Sequence, residues 1–538
     1  MRRTMGKDKS TQLGNAILVL VAMVLGVLIG LMCADTFGRH SAPSTLQGKM
    51  DEVLELVEEE YVDPVNIDSL SEELVAVLLS ELDPHSAYLP KRLAEEKAEA
   101  MRGNFEGVGL VIHREGDTSY VGQVMHDGPS EGSGLLPGDM LLTVDGDTVV
   151  GLPSDSVVAR LRGPRGSSVD VTVLRHSASG PLLSPFSFHL RRGVVSQPSL
   201  PYYDMLDDTT GYIMLTSFTE TSHSEFRSAL RQLKGRGMRH LIFDLRGNGG
   251  GALQSAVGIC GELLPLGSPI LYTQGYHVRR HNVMSHGGGL FTQGRVTVLI
   301  DEESASASEV VSGALQDNDR ALIVGRRSFG KGLVQGGYDL QDGSTVLLTT
   351  ARYYTPSGRC IQRPYDDGTE EYYRDYMQQL IDETYADSAV ASIKDSTPYY
   401  TAGGRVVYGG GGIIPDVIFT YRHDPSFAYY NQLSSLGLLV RVPFDYVKHH
   451  AAELLARYPD ADAFCKGFTV GSDMIEEVVR RGEKHGVPRD DKSLKAQRQL
   501  MANRLKARIG QALYDDATCY RILMQEDEDM QKLRSMNL

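Results

Sequence analysis

The stretch RVTVLIDEESASASEVVSGAL, residues 295–315, contains the clearest structural signal in the chain. A short apolar run, VTVLI, predicts a buried strand; a turn of small residues follows, and a helix begins near Ser308. A serine on such a turn lies beside the N–H groups of the helix N-terminus, which can stabilise an oxyanion. The turn therefore holds a candidate nucleophile for acyl transfer. The alternative for Ser304 or Ser308 is a plain N-cap, a common role for serine.

The same alternation of strands and helices extends outward from this stretch. GYIMLTSF, residues 211–218, predicts a strand, and SEFRSALRQLKGRG, residues 224–237, predicts a helix that ends at glycine. ALIVG, residues 321–325, predicts another strand. Alternating strands and helices predict an α/β layer structure from Gly211 to about Phe419.

The flanking regions differ from this α/β region in character. Upstream, residues 105–192 contain short Val-rich strands separated by Gly, Pro and Asp turns, which predict a compact β-rich module. Downstream, residues 426–538 are helical in pattern and rich in charge, without a chemical motif. The sequence therefore predicts a multidomain α/β protein.

The N-terminus carries an apolar run, NAILVLVAMVLGVLIGLMCA, over residues 15–34. About twenty uncharged residues suffice to cross a bilayer, and the exit from the run is a poor cleavage site. A basic flank, residues 1–14, is expected to stay in the cytoplasm. The run predicts a single-pass signal anchor in a bacterial inner membrane, with the bulk of the chain in the periplasm. A cleaved signal peptide is the alternative.

Charge and composition exclude some classes of function. The chain has 54 basic and 69 acidic residues, and a net charge of −15 argues against nucleic acid as a partner. None of the five cysteines forms a CxxC pair, which argues against a thiolate zinc site. His277, His281 and His286 have no metal-ligand companions nearby in sequence. We expect neither a metal nor a cofactor.

GRRSFGKGLVQ, residues 325–335, is a second candidate motif. It matches most of a P-loop, but Gly332 replaces the Ser or Thr that holds magnesium, and no helix pattern follows. A lysine in a glycine-lined apolar setting has a lowered pKa and can act as a base, which is the interpretation we favour for Lys331. If the segment is extended, Gln335 lies on the same side and could orient it. A surface turn lysine is the alternative.

DLRGNGGG, residues 244–251, is a strand that opens into a glycine loop. Glycines let the backbone approach a ligand closely, so Gly250 or Gly249 could supply a second oxyanion N–H. A bare glycine turn is the alternative.

Taken together, these motifs resemble the carboxy-terminal processing peptidases, or tail-specific proteases, of serine peptidase family S41. LDPHSAYLP (82–90), FEGVGLVI (105–112), DLRGNGGG, the serine stretch, GRRSFGKGLVQ and RYYTPSGRCIQ (352–362) follow in the order of that family. The resemblance covers about residues 46–420. It implies a PDZ domain and a protease core of the crotonase-like or ClpP-like α/β kind.

The resemblance also implies roles for individual residues. Ser306 would be the nucleophile, Lys331 the general base and Gln335 the residue that orients the lysine. The N–H groups of Ala307 and of Gly250 or Gly249 would form the oxyanion hole. In the PDZ domain, Gly107, Val108, Gly109 and Leu110 would bind the C-terminal tail of a substrate beside a strand.

The expected domain order follows from these assignments. After the anchor come an N-terminal helical region (41–104), the PDZ domain (105–192), the Ser–Lys protease core (193–425) and the helical extension (426–538). We expect protein substrates with unstructured apolar tails, and a homo-oligomer or an adaptor protein as possible partners. The rival hypotheses are a PDZ scaffold without activity and a hydrolase of small esters or peptidoglycan.

Overall fold

The computed structural model describes residues 45–176, 184–385, 397–420 and 424–536. The chain divides after Leu78 into two compact units. The described part of the first contains helix α1 (Leu46–Glu60) and most of helix α2 (Ile67–Ser80). The Thr45 hydroxyl caps α1 by accepting a hydrogen bond from the Gly48 N–H at 3.3 Å. The second unit begins at Leu79 and contains the remaining elements.

The predicted membrane anchor at residues 15–34 lies outside the described residues, as does its basic flank. Among the residues that are described, no helix combines the length and the apolar character that a membrane crossing requires. An apolar run alone does not establish a span, because the backbone must also form a continuous helix in the bilayer. The fold class is therefore corrected to multidomain α/β without an assigned transmembrane helix. The predicted inner-membrane and periplasmic location is withdrawn with it.

The β-rich region is an antiparallel sheet of order β3–β4–β5–β7–β8, with β6 paired to β5. In β7, Val169, Val171 and Val173 are buried while Ser168 and Asp170 are exposed, which is typical of a sheet covered on one face. The elements are β2 (Asn104–Gly107), β3 (Leu110–Glu115), β4 (Thr118–Val124), β5 (Met140–Val144), β6 (Asp147–Thr148), α4 (Ser154–Leu161), β7 (Ser168–Leu174), β8 (Phe186–Arg191) and β9 (Gly193–Ser196). Strands β2 and β9 form a separate antiparallel pair.

The α/β region contains a six-stranded sheet of order β10–β11–β12–β15–β16–β21. All neighbouring strands are parallel except β10 and β11. Both faces are buried, so the strands are continuously apolar, as the VTVLI run indicated. The elements are β10 (Tyr202–Met205), β11 (Thr210–Met214), α5 (Ser222–Gly235), β12 (His240–Asp244), α6 (Leu253–Leu263), β15 (Arg295–Ile300), α7 (Ala307–Asp317), β16 (Leu322–Gly325) and β21 (Val417–Ile418).

A second sheet packs beside the first and has the order β1–β18–β13–β14, with β17 paired to β18. Its strands are β1 (Ala87–Leu89), β13 (Pro269–Gln274), β14 (His281–Met284), β17 (Leu333–Asp339) and β18 (Thr345–Tyr354). Helix α3 (Lys91–Arg102) leads into the β-rich region, helix α8 (Thr369–Tyr385) follows β18, and β19 (Pro398–Tyr400) pairs with β20 (Val406–Tyr408).

The C-terminal extension is helical, as its sequence pattern indicated. Its helices share a hydrophobic core of their own, which includes Leu433, Val447, Phe464 and Met501. They are α9 (Phe427–Ser435), α10 (Leu438–Arg457), α11 (Ala461–Gly467), α12 (Ser472–Lys484), α13 (Asp491–Leu513), α14 (Asp516–Leu523) and α15 (Glu528–Ser535).

The topology determines where the candidate motifs meet. Strands β12, β15 and β16 are adjacent and parallel, so the loops after their carboxyl ends emerge at one edge of the sheet. These loops carry DLRGNGGG, the serine turn and the GRRSFGKG segment. Sequence positions about sixty residues apart are thereby brought together.

Candidate active site

Ser306 occupies a strained position at the start of helix α7. Its backbone angles are φ 54° and ψ −109°, in a region that non-glycine residues rarely adopt. Backbone strain of this kind costs about 1–3 kcal/mol and persists where the surrounding structure enforces it. The conformation matches the sharp strand-to-helix turn on which hydrolases expose a nucleophilic serine.

The buried carboxylate of Glu309 holds this turn in place. One oxygen accepts hydrogen bonds from the N–H groups of Ser306 and Lys331, both at 2.8 Å. The other accepts from the Ser328 hydroxyl at 2.6 Å and from the Gly330 N–H at 2.7 Å. Burial raises the pKa of Glu309, and these four hydrogen bonds oppose that rise. Because three of the four donors are backbone N–H groups that can only donate, the site suits the ionised form.

Lys331 lies just before strand β17, with Gln335 on the same side, as the extended pattern predicted. The Lys331 ammonium donates to Gln335 Oε1 at 2.9 Å, and Gln335 Nε2 donates to the carbonyl oxygen of His85 at 2.5 Å. Burial lowers the pKa of Lys331, and the nearby Lys97 ammonium lowers it further, against the opposite effect of Glu309 and Asp83. Among the described residues, no hydrogen bond joins Lys331 Nζ to Ser306 Oγ.

The LDPHS segment fixes the carbonyl that holds Gln335. The Asp83 carboxylate accepts hydrogen bonds from the N–H groups of His85 and Ser86, both at 2.8 Å, and from the Ser86 hydroxyl at 2.6 Å. Burial alone would raise the pKa of Asp83, but these hydrogen bonds outweigh it and the pKa is lowered. Burial and the Lys331 ammonium lower the pKa of His85 to about 4, so its ring is neutral at neutral pH.

The glycine loop packs directly on the serine turn. A Cβ at Gly250 would lie 2.8 Å from Ser306 Cβ and 3.0 Å from the Ala307 nitrogen, so only glycine fits. The Gly250 N–H donates to the Asn248 side-chain oxygen at 2.9 Å, whereas no hydrogen bond among the described residues uses the Gly251 N–H. The Asn248 carbonyl in turn accepts from the Ala305 N–H at 3.0 Å.

A cavity of about 690 Å³ opens above this arrangement. Ser306, Ala307 and Gln335 lie in its wall, and Gly251 lies there with them, whereas Gly249 and Gly250 do not. The remaining wall is mixed. Apolar side chains come from Met101, Leu253, Val310, Leu333, Val334, Leu347 and Tyr353, and polar ones from Lys97, Glu220, His223, Gln254 and Ser255. The cavity can therefore hold an apolar side chain next to the candidate nucleophile.

The predicted tail-binding residues of the β-rich region line a second cavity. Gly107, Val108, Gly109 and Leu110 border a groove of about 230 Å³ between strand β3 and helix α4. Phe105, Val158, Leu161 and Arg162 complete its wall, and the Arg162 guanidinium lies 4.7 Å from the centre of the Phe105 ring. The groove is apolar and runs beside a strand, as recognition of an extended peptide requires.

Sequence reasoning missed two contributors to the candidate site. Glu309 stands three residues after Ser306, where a carboxylate is typical of an ordinary capping box. Its contacts with Gly330 and Lys331 depend on the parallel pairing of β15 with β16. The second contributor is LDPHS, whose His85 carbonyl accepts a hydrogen bond from Gln335, 250 positions away. Only the resemblance to a family signature could have suggested this contact.

Comparisons with known proteins agree with the sequence resemblance. Three family models match: peptidase family S41 over residues 209–370, the PDZ domain over residues 98–174, and a family of unknown function over residues 429–515. The carboxy-terminal-processing protease of Bartonella bacilliformis is 32% identical over 355 residues, which cover 64% of this chain and 80% of the relative. The carboxy-terminal processing protease CtpB of Bacillus subtilis is 31% identical, with 62% and 71% covered.

Among solved structures, the photosystem II D1 C-terminal processing protease is 29% identical. It matches 57% of this chain and 82% of its own, with a TM-score of 0.33, and at that score the likeness adds no argument. The Bartonella relative shows the family, because it is 32% identical to this chain and 80% of its length is matched. The chain therefore belongs to the carboxy-terminal processing proteases of serine peptidase family S41 and carries a PDZ domain.

Proposed function

We propose that the chain is an endopeptidase that cleaves proteins near apolar C-terminal tails through a dyad of Ser306 and Lys331. The observation that carries this proposal is the Glu309 carboxylate, which binds the backbone N–H groups of both residues. One buried group thus fixes the two loops side by side. A capping box alone would require only the bond to the Ser306 N–H; the further bond to the Lys331 N–H is what supports the dyad.

The chemistry begins with neutral Lys331, whose pKa is lowered by burial. Its amine takes the proton of the Ser306 hydroxyl as the oxygen attacks a peptide carbonyl. The resulting ammonium then protonates the leaving amine, and water releases the acyl-enzyme. Gln335 holds the amine before substrate binds; contact with Ser306 forms as the substrate fills the cavity, because catalytic hydrogen bonds often tighten only in the complex.

Two backbone N–H groups stabilise the tetrahedral oxyanion. Ala307 supplies one, at the start of helix α7. For the second, the geometry favours Gly251 over Gly250 and Gly249, since the Gly250 N–H is already donated to Asn248 and Gly249 is not in the cavity wall. Loss of one such donor costs about 3–4 kcal/mol of transition-state stabilisation.

The PDZ groove binds the tail of the substrate. Its apolar walls and its position beside β3 suit an extended apolar C-terminus that adds as a strand. The cavity beside Ser306 also has apolar side chains in its wall, so it can accept an apolar residue of the same substrate.

The test is proteolysis by the full chain of an unfolded reporter protein with an apolar C-terminal tail. We expect cleavage that is lost in Ser306→Ala and in Lys331→Ala. Ser304→Ala and Ser308→Ala serve as matched controls, because these hydroxyls bond backbone carbonyls of Leu245 and Asn248 at 2.8 Å and are expected to be structural. Cleavage retained in Ser306→Ala would contradict the nucleophile assignment.

A second arm separates the peptidase from its rivals. The apolar-tailed reporter is compared with an otherwise identical reporter whose tail ends in charged residues. A small ester and a peptidoglycan fragment are tested as alternative substrates. We expect faster cleavage of the apolar-tailed reporter than of the charged one, and no turnover of peptidoglycan. Equal cleavage of both reporters would contradict recognition of apolar tails.

A further inference from the structure

The C-terminal extension packs on the core sheet through its last helix, α15, which follows the segment (429–515) matched by the family of unknown function. Met530 and Leu533 of helix α15 are buried among Tyr212, Ile242, Leu299, Val324 and Phe419, on the face of the sheet away from helices α5, α6 and α7. The extension is thus part of the folded core.

Two carboxylates at the start of α15 contact arginines of the catalytic loops. Asp527 Oδ2 accepts from Arg246 Nη2 at 2.7 Å. Asp529 Oδ2 accepts from Arg246 Nη1 at 3.2 Å and from Arg326 Nη1 at 2.8 Å. The Asp529 side chain is only 10% exposed and each arginine only 16%, so water screens these ion pairs weakly. Burial would raise the pKa of Asp529, but the two arginines outweigh it and the pKa is lowered.

The two arginines begin the loops that form the candidate active site. Arg246 precedes the glycines of DLRGNGGG, and its guanidinium also binds Asp244 at the end of β12. The neighbouring Gly247 N–H donates to the Asp301 carboxylate at 3.0 Å, in the loop that leads to Ser306. Arg326 follows β16, five residues before Lys331, and binds Glu302 at 3.0 Å. One pair of carboxylates therefore contacts the glycine and lysine loops directly, and the serine loop indirectly through Arg326 and Glu302.

The other end of the extension lies on the PDZ sheet. The Phe444 ring packs 4.3 Å from the ring of His113, and Lys448 Nζ donates to Glu115 at 2.9 Å. A Cβ at Gly138 would lie 2.4 Å from Lys448 Cα, so helix α10 touches the PDZ backbone directly. Between these two contacts the helices α9–α14 share a hydrophobic core, and Tyr520 of α14 packs against the cluster that α15 forms with the sheet.

We propose that Asp527 and Asp529 are positioning residues of the protease, acting through Arg246 and Arg326. The extension is then a brace that holds the PDZ domain and the three catalytic loops in one arrangement. This inference rests on the proposed function. A carboxylate that only stabilised the fold would affect the unfolding temperature but not the turnover of folded protein, whereas a positioning residue affects turnover because small displacements of reacting groups reduce rates strongly.

The experiment measures kcat and KM of the full chain on a short internally quenched peptide without a tail for the PDZ groove. For Asp527→Asn with Asp529→Asn, we expect kcat to fall at least about tenfold while KM stays within about twofold. Glu528→Gln is the matched control, because it lies exposed between the two aspartates on α15. Asp515→Asn is the second control; Asp515 caps α14 through Thr518 as Asp527 caps α15 through Met530.

Assays run well below the unfolding temperature of each variant. An unchanged kcat in the double variant, or an equal loss in Glu528→Gln or Asp515→Asn, would overturn the inference. If the double variant does not fold, the single variant Asp527→Asn, which keeps Asp529, tests the effect of the Asp527–Arg246 ion pair on kcat. The ratio of variant kcat to wild-type kcat can be measured whichever residue attacks the peptide carbonyl. Cleavage that survived Ser306→Ala would therefore overturn the dyad and leave this test intact.

Discussion

The candidate active site and the PDZ groove both have apolar side chains in their walls, but their polar groups are held very differently. Around Ser306, the backbone is strained and one buried carboxylate accepts four hydrogen bonds. In the groove, the wall is formed by glycine backbone and aliphatic side chains, with Arg162 over Phe105 as its polar edge. We expect the first arrangement to tolerate only one geometry, and the second to accept tails of different sequence.

This contrast has a physical cause. Acyl transfer requires a nucleophile, a base and oxyanion donors within tenths of an ångström, and buried hydrogen-bonded networks supply that accuracy. Recognition of an extended tail requires backbone pairing and an apolar pocket, which tolerate changes of side chain. A single substitution is therefore expected to be severe in the centre and moderate in the groove.

The largest effect is expected from Glu309→Gln. The amide places an NH₂ group against two backbone or hydroxyl donors at a fully buried position, which leaves buried donors unpaired. We expect kcat to fall by about a hundredfold or more and the free energy of unfolding to fall by about 2–4 kcal/mol. Steady-state kinetics measures kcat, and urea unfolding measures the free energy of unfolding. Glu303→Gln, an exposed residue of the same loop, is the control. A Glu309→Gln variant with near wild-type kcat would contradict the expectation that the site around Ser306 is more sensitive to substitution than the PDZ groove.

A smaller effect is expected from Val158→Asp in the wall of the PDZ groove. The carboxylate disfavours an apolar tail, so KM for a tailed protein rises by about tenfold, since a hydrophobic contact of this kind is worth roughly 1–2 kcal/mol. The kcat on a short untailed peptide stays unchanged. Ser156→Asp, on the same helix but outside the groove, is the control. A fall in kcat on the short peptide would show that the groove is as tightly coupled to chemistry as the centre.

The smallest effect is expected from Lys97→Met at the mouth of the catalytic cavity. In the proposed mechanism the base is a neutral amine, so we expect kcat/KM to rise as pH increases through the pKa of Lys331. The Lys97 ammonium lowers that pKa, and its removal moves the rise to higher pH. We expect a loss of about two- to fivefold at neutral pH that disappears at high pH, since the charge is partly screened. The exposed Lys91→Met on the same helix is the control. A pH profile that does not move would exclude this electrostatic influence.

Much of the fold was predictable because its signals are local. The VTVLI strand, the small-residue turn and the following helix were each legible in a few residues, and so was the alternation of valines in β7. The order of motifs predicted the peptidase family, which the comparisons confirmed. Lys331 and Gln335 were expected on one side of an extended segment, and a hydrogen bond does join them, although Lys331 precedes β17 and a bulge between Val334 and Gln335 interrupts the strand period of two.

The remaining features depend on distant contacts. Asp527 and Arg246 are 281 residues apart, and nothing in the pattern of α15 distinguishes Asp527 from an ordinary N-cap. The membrane anchor differs from these features, because its signal was local and strong. The apolar run at residues 15–34 predicted a span, but no helix among the described residues is long and apolar enough to cross a membrane. The proposal of Gly251 as an oxyanion donor needed the hydrogen bonds within the loop, which three identical residues in a row cannot reveal.

The most direct test of the Ser–Lys dyad is the reaction of the full chain with a fluorophosphonate, which phosphonylates an activated serine. The rate is measured across pH for wild type and for Lys331→Met, and the adduct is located by peptide mass spectrometry. We predict an adduct on Ser306, with a rate that rises with pH in wild type and is at least about a hundredfold lower in the variant. An adduct on another serine, or an unchanged rate in Lys331→Met, would contradict the account.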